Sequence, residues 1–341
     1  MGMKRNHWIY LGAGSVALLC GVALTALPGR ESNNPPESNG LEETAEFKKI
    51  EAGDNALVEA FSQVGDEPQA SVSASPEYRV AAQALHDRWS DDTAGQFLSL
   101  NEDTSFEAVS DALEDIFDRV DPKDSAFLLE ALQLPRPEQL KLTEWQAIQR
   151  RIVDYLVDEG QEPDLIESEL LVLAESADSS VFLKDAIVKR LDVVYERSQD
   201  PSRIAGLMWQ LVELPNDDVA STSLASLARL SDVTQEIDSE YLKNVTIRLM
   251  ESPQASVQTR VTAMEVANWM QLPEAYEVAV RVLKQDHQDE LMQMIAISTL
   301  VDKGNQSDIP VLQKLQQQYE GETIGVAAKQ AIELINGGNP I

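Results

Sequence analysis

The chain predicts an all-α fold, an α-α superhelix of antiparallel helix pairs, on three observations. From Ser75 to Asn336 apolar residues recur at intervals of three and four almost without interruption. The breaks carry helix punctuation: Ser, Thr or Asp before a run, Gly after it, Pro at the joints. In the last third, small residues repeat in phase: Ala263 and Ala267, then Ala296 with Leu300, then Ala327, Ala328 and Ala331, about 31 to 33 residues apart. Short apolar runs such as Leu170 to Leu173 sit inside longer helical patterns and lack flanking hairpin turns, which argues against sheet.

Residues 1–7 contain Lys4 and Arg5, and from Trp8 to Leu27 there is no charged side chain. Twenty residues in a helix span about 30 Å, the hydrocarbon thickness of a bilayer. The segment 8–27, with Trp8, Leu11, Leu18, Leu19, Leu24 and Leu27 facing lipid, is therefore expected to be a transmembrane anchor. Its preceding positive charges place residues 1–7 in the cytoplasm and the body outside, in the periplasm if the membrane is a bacterial inner membrane. The competing reading is a cleaved signal peptide and a secreted or periplasmic body, although no full Ala-x-Ala site precedes residue 28. Ala13, Ala17, Gly21 and Thr25 line one helix face in either case. Cys20, the single cysteine, falls in this segment, so the body has no thiol and no disulfide.

Residues 28–75 read as a flexible linker: Glu31–Gly40 mixes Pro, Asn, Ser and Gly without periodicity, a short helix is expected over 41–61, and Gln63–Ser75 is polar again. The compact body then divides into 76–250, irregular helical repeats, and 251–336, regular ones, with a tail at 337–341. Ser75 caps a helix opened by Pro76 and buried through Tyr78, Ala82, Leu85 and Trp89. Thr104 caps the next, which buries Phe106, Val109, Leu113, Ile116 and Phe117 and ends at Asp121-Pro122. A partner runs over 123–134. Thr143 and Gln146 form a capping box before Trp145, Ile148, Ile152 and Leu156, and Gly160 ends that helix in the left-handed conformation. Further helices are expected near 164–176, 179–198, 201–214, 217–230, 238–252, 255–270, 273–285, 288–303, 307–320 and 323–336. Three joints echo one another: Gln133-Leu134-Pro135, Glu213-Leu214-Pro215 and Gln271-Leu272-Pro273.

Those alanines, together with Val257-x-x-Arg260 opening one inner helix, resemble the HEAT-repeat superfamily, in particular the short bacterial units of the phycobilisome-lyase type. The resemblance covers Ser252 to Asn336. Met292 and Gly325 or Val326 stand where later units should repeat the Val-Arg start, so the pattern is degenerate. Before residue 250 the spacing lengthens towards 40, as from Ala186 to Ala225 to Ala263. What the resemblance implies is a scaffold or docking surface.

Charge narrows the partner. Asp plus Glu number 58 against 27 Lys plus Arg, a formal charge of -31. Clustered cations for nucleic acid are missing beyond the pairs Lys48/Lys49, Arg150/Arg151 and Lys189/Arg190, so a protein with basic segments fits better than a polyphosphate. Excess carboxylate also serves plain solubility. The three histidines, His7, His86 and His287, lack a second His or Cys at ligand spacing. There is no Gly-x-Gly-x-x-Gly, Walker or Gly-x-Ser-x-Gly motif. Asp111, Glu114, Asp115 and Asp118 share a helix face opposite Leu113 and read as a solvated stripe, while Asp121–Asp124 and Asn216–Asp218 lack EF-hand alternation. Trp89, Trp145, Trp209 and Trp269 lie among apolar residues and are expected in the core. No catalytic, metal or cofactor residue and no small-molecule substrate is expected. The function that follows is a non-catalytic, exported helical-repeat scaffold; a lyase-like enzyme and a self-associating envelope protein are its rivals.

Overall fold

Proline opens five of the six helices in one row, and side-chain caps open several of those in the other. The computed structural model describes residues 76–337, apart from 90–96, 99–104, 120, 138–139, 215–217 and 286–287. Among these residues all regular structure is helical: α1 (Pro76–Arg88), α2 (Phe106–Arg119), α3 (Pro122–Ala131), α4 (Leu142–Asp158), α5 (Pro163–Glu175), α6 (Val181–Val188), α7 (Leu191–Arg197), α8 (Pro201–Val212), α9 (Val219–Val233), α10 (Ser239–Glu251), α11 (Val257–Trp269), α12 (Pro273–Lys284), α13 (Glu290–Lys303), a 3-10 turn (Gln306–Asp308), α14 (Ile309–Gln318) and α15 (Thr323–Gly337).

Consecutive helices pack in pairs, and each also packs against its counterpart in the next pair, giving two rows. The first row is α4, α6 with its continuation α7, α9, α11, α13 and α15; the second is α3, α5, α8, α10, α12 and α14. In the second row α3, α5, α8, α12 and α14 carry Pro at the first or second position, where the missing amide has no intrahelical acceptor to lose. Three first-row helices, α6, α11 and α13, are capped by side chains: Ser180 accepts from Leu183 N–H, Ser256 from Thr259 N–H and Asp289 from Leu291 N–H. First-row helices start at Leu142, Val181, Val219, Val257, Glu290 and Thr323, so successive units are 39, 38, 38, 33 and 33 residues long.

Close packing within the first row depends on small side chains. Ala263, Ala267, Ala296, Ala328 and Ala331 are fully buried there, together with Ser223, Ser226, Thr259 and Thr299. Thr299 satisfies its buried hydroxyl within and across units: Oγ1 donates to Ile295 O (2.9 Å) and accepts from Asn268 Nδ2 of the preceding unit (2.7 Å).

Local details differ from expectation for identifiable reasons. The helix expected over 179–198 breaks at Lys189 and Arg190, where Arg190 N–H bonds back three residues to Ile187 O and tightens the turn. The cap of α2 falls on Ser105, whose Oγ accepts from Ala108 N–H, one residue after Thr104. At α4 the helix starts at Leu142 and the reciprocal bond runs from Lys141 N–H to Glu144, not between Thr143 and Gln146. Gly160 is not left-handed. Glu162 takes that conformation (φ 64), and glycine is needed at 160 because a Cβ there would lie 2.4 Å from Leu156 O. Gln271 (φ 58) closes α11 with Leu272 N–H on Ala267 O, a bond that lets the chain turn into Pro273. Trp145 is buried, whereas Trp89, Trp209 and Trp269 are half-buried against the core. The proposed anchor residues Trp8, Leu11, Leu18, Leu19, Leu24 and Leu27 and the linker 28–75 lie outside the described residues; within those, no helix is long and apolar enough to cross a membrane.

Candidate interaction face

The inner first-row helices α9, α11 and α13 are each wedged between their row neighbours and a second-row partner, which leaves a narrow stripe open. On α11 the stripe is Gln258, Glu265 and Trp269, seven and four residues apart and hence on one helix face. The same spacing recurs along the row: Ala147, Asp154 and Asp158 on α4; Asp185, Asp192 and Glu196 on α6 and α7; Thr222, Arg229 and Val233 on α9; Leu291, Ser298 and Asp302 on α13; Thr323, Gln330 and Leu334 on α15. All of these are half-buried or exposed, whereas most other positions of α9, α11 and α13 are buried. Two contacts align the stripe of α6 and α7 with that of α9: Thr222 Oγ1 donates to Asp185, and Arg229 Nη2 lies 3.3 Å from Asp192.

A charge ladder ties the stripes together in the first half of the row. Arg151, Arg190 and Arg229 stand 39 residues apart, and each reaches back one unit, to Glu114, to Asp154 and Asp158, and to Asp192. Lys189 holds Asp185 at 2.6 Å. The carboxylates of these stripes are thus largely neutralised from within. Beyond Arg229 the ladder stops. In α11 the position 39 residues on is Asn268, which bonds forward to Thr299 instead.

The carboxylates past that point stand in a different environment. Burial alone pushes Glu265 up to about 7. Burial also raises Asp232 at the end of α9, and raises Asp302 on α13 against a smaller opposing pull from Lys303. Lys303 donates to Leu272 O (2.9 Å) and is itself lowered by burial. Among the described residues neither Glu265 nor Asp302 is held in an ion pair. Three exposed apolar side chains, Val233, Leu291 and Leu334, and the half-buried Trp269 lie on the same stripes.

The second row is tied differently. Arg248 grips Glu213 through both terminal nitrogens (2.8 and 2.6 Å), and that pairing lowers Glu213 below the usual carboxylate range. Arg281 reaches Glu251 (3.1 Å), and Trp209 meets Tyr241 edge-on with ring centres 4.8 Å apart. Near the last units, Tyr276 donates to buried Asp308 (2.9 Å), whose other bond is from Asn305 N–H (2.9 Å).

Of the residues singled out from sequence, Asp111, Asp115 and Asp118 are solvent-exposed on α2, and Glu114 beside them serves the ladder. Asp121 caps α3 and Asp124 pairs with Arg119 (3.0 Å), which gives that acidic segment a structural role. His86 is exposed; His7 and His287 lie outside the described residues. A shallow depression lined by Asp164, Glu167, Ser168, Gln199, Asp200 and Arg203 opens to solvent, with Glu167 bonded to Ser198 and Asp200 to Ser202. Sequence reading missed the stripes and the ladder. The 39-residue interval shared by Arg151, Arg190 and Arg229 was the available signal.

No protein-family model, curated protein or solved structure matches the chain. The likeness to HEAT repeats therefore rests on the residues quoted above, and the arrangement shown is an all-helical array of packed helix pairs.

Proposed function

We propose that this protein is a membrane-anchored, exported helical-repeat scaffold that holds a basic segment of another protein on its first-row face and turns over no substrate. The observation that carries this reading is the stripe repeated from α4 to α15. A surface that recurs once per unit suits an elongated ligand, and carboxylates dominate the charged positions on it. The strongly acidic composition, at -31, favours a cationic partner and hastens its approach. The HEAT-like alanines support a docking role through resemblance. Export and anchoring are supported by the uncharged Trp8–Leu27 segment behind Lys4 and Arg5.

Two experiments test this. Full-length protein, purified in detergent, is titrated with a fluorescent lysine-rich peptide and with its glutamate counterpart. Selective, salt-sensitive binding of the basic peptide is expected, and equal or absent binding of both rejects the reading. A reporter active only outside the cytoplasm, fused after Ile341, should be active in cells; an inactive fusion made at normal levels rejects export.

A further inference from the structure

The scaffold reading leaves open where on a face of six stripes a partner would sit. In the first half four of the five stripe carboxylates are already matched, Asp154 and Asp158 by Arg190, Asp185 by Lys189 and Asp192 by Arg229, which leaves only Glu196, exposed at the end of α7, outside an ion pair among the described residues. At the matched positions a cationic ligand must displace an internal partner. Past Arg229, the stripes of α11, α13 and α15 hold Glu265 and Asp302 and no cation. The nearest lysine, Lys303, is occupied by Leu272 O, and Lys329 falls about a third of a turn off the α15 stripe. Apolar surface accompanies the two acids: Trp269 follows Glu265 by one turn, and Leu291 opens the α13 stripe with 43% of its surface exposed.

Resting on the scaffold reading, we infer that the face of α11 and α13, with Glu265 and Asp302 as its charged points and Trp269 and Leu291 beside them, is a docking site for an extended cationic segment of a partner protein. The stripe is one residue wide, because its flanks on α11 and α13 are mostly buried. A helix about 10 Å across covers more than that, and an extended strand does not. Neighbouring packed helices lie about 8–10 Å apart, and Asp302 sits roughly one turn further along its helix than Glu265. The two carboxylates are thus on the order of 11 Å apart, a span that an extended chain covers in about three to four residues. The segment that fits carries Lys or Arg at every third or fourth position with an apolar residue between them. Desolvation of Glu265 agrees with this, since an arriving cation supplies the partner that the fold withholds.

The test uses full-length protein and two fluorescent 12-residue peptides of identical composition, one with lysines at every third position among Ser and Leu, one with the same lysines in a single block. Fluorescence anisotropy should show the spaced peptide binding at least tenfold more tightly. Glu265→Gln and Asp302→Asn should each weaken it three- to tenfold, and the double variant should bind both peptides alike. Asp111→Asn, an exposed acid on α2, should leave both affinities unchanged. Circular dichroism on each variant confirms folding, which these near-isosteric changes preserve. Equal binding of the two peptides, or full affinity in the double variant, overturns the inference while leaving the scaffold reading intact. If neither peptide binds, that reading fails first. Spermine competing as strongly as the spaced peptide, or peptide binding that only dissociates a dimer of this chain, would assign the face to those occupants and overturn the proposal.

Discussion

Arg229 on α9 places its guanidinium 3.3 Å from the carboxylate of Asp192 on α7, one unit upstream, in a ladder that Arg151 and Arg190 begin. Both side chains are partly exposed, at 38% and 24%, so the pair works in a well-screened environment. A double-mutant cycle with Arg229→Met and Asp192→Asn, read by urea unfolding, should give a coupling of about 0.5 kcal/mol, within the 0.2–1 kcal/mol usual for such pairs. Raising salt to about 0.5 M should shrink it further. The pairs set unit-to-unit alignment more than stability.

Stability should instead reside in the alanine-lined contacts of the first row. Ala296 on α13 is fully buried. Ala296→Leu forces three more heavy atoms between close helices and should cost about 1–3 kcal/mol, whereas Leu300→Ala on the same helix should cost about 2–5 kcal/mol by leaving a cavity. Chemical denaturation with an unchanged slope would verify both.

The element pattern was legible because its signals are local. Pro163, Pro201 and Pro273 open helices where the sequence put them, and Ala263, Ala296 and Ala328 are buried where their spacing indicated. The interaction face was not legible, for a physical reason. A helix buried on three sides shows no broad polar face, so in α11 the open positions Gln258, Glu265 and Trp269 are single residues scattered among Val, Thr, Ala and Met. Likewise, Gly160 looked like a left-handed cap from its position alone. Only the packed turn shows that it makes room for Leu156 O while Glu162 takes the strained conformation.

Tyr276 and Asp308 should behave as a latch between α12 and the turn that starts the last unit. Tyr276→Phe removes a donor to a buried carboxylate and should cost about 1–3 kcal/mol. Amide hydrogen exchange should quicken first around Asn305–Asp308, whose backbone the same carboxylate holds. Uniformly faster exchange, without a local response, would argue against a latch.

Glu265 carries a pH signature. Its folded-state value of about 7 lies above the ordinary 4.5, so between those values the folded protein holds a proton that the unfolded chain has lost. The charge penalty is absent below about pH 4.5 and grows until about pH 7, and stability falls over that interval. Glu265→Gln should remove this loss, gaining on the order of 1–3 kcal/mol over wild type at pH 7.5 and little at pH 4.5 once partial solvent screening is allowed for. Thermal melts of both proteins across that range provide the comparison. Peptide binding should run the opposite way, strengthening as Glu265 ionises.

The most direct test of the account is to map where a cationic segment lies on the full-length protein. A spaced-lysine peptide carrying a photoreactive benzophenone, cross-linked and digested for mass spectrometry, should attach within 258–269 and 291–302, with free peptide competing the signal away. Competed cross-links confined to the second row, on α10 and α12, would contradict the central claim that the first-row stripe is the binding surface.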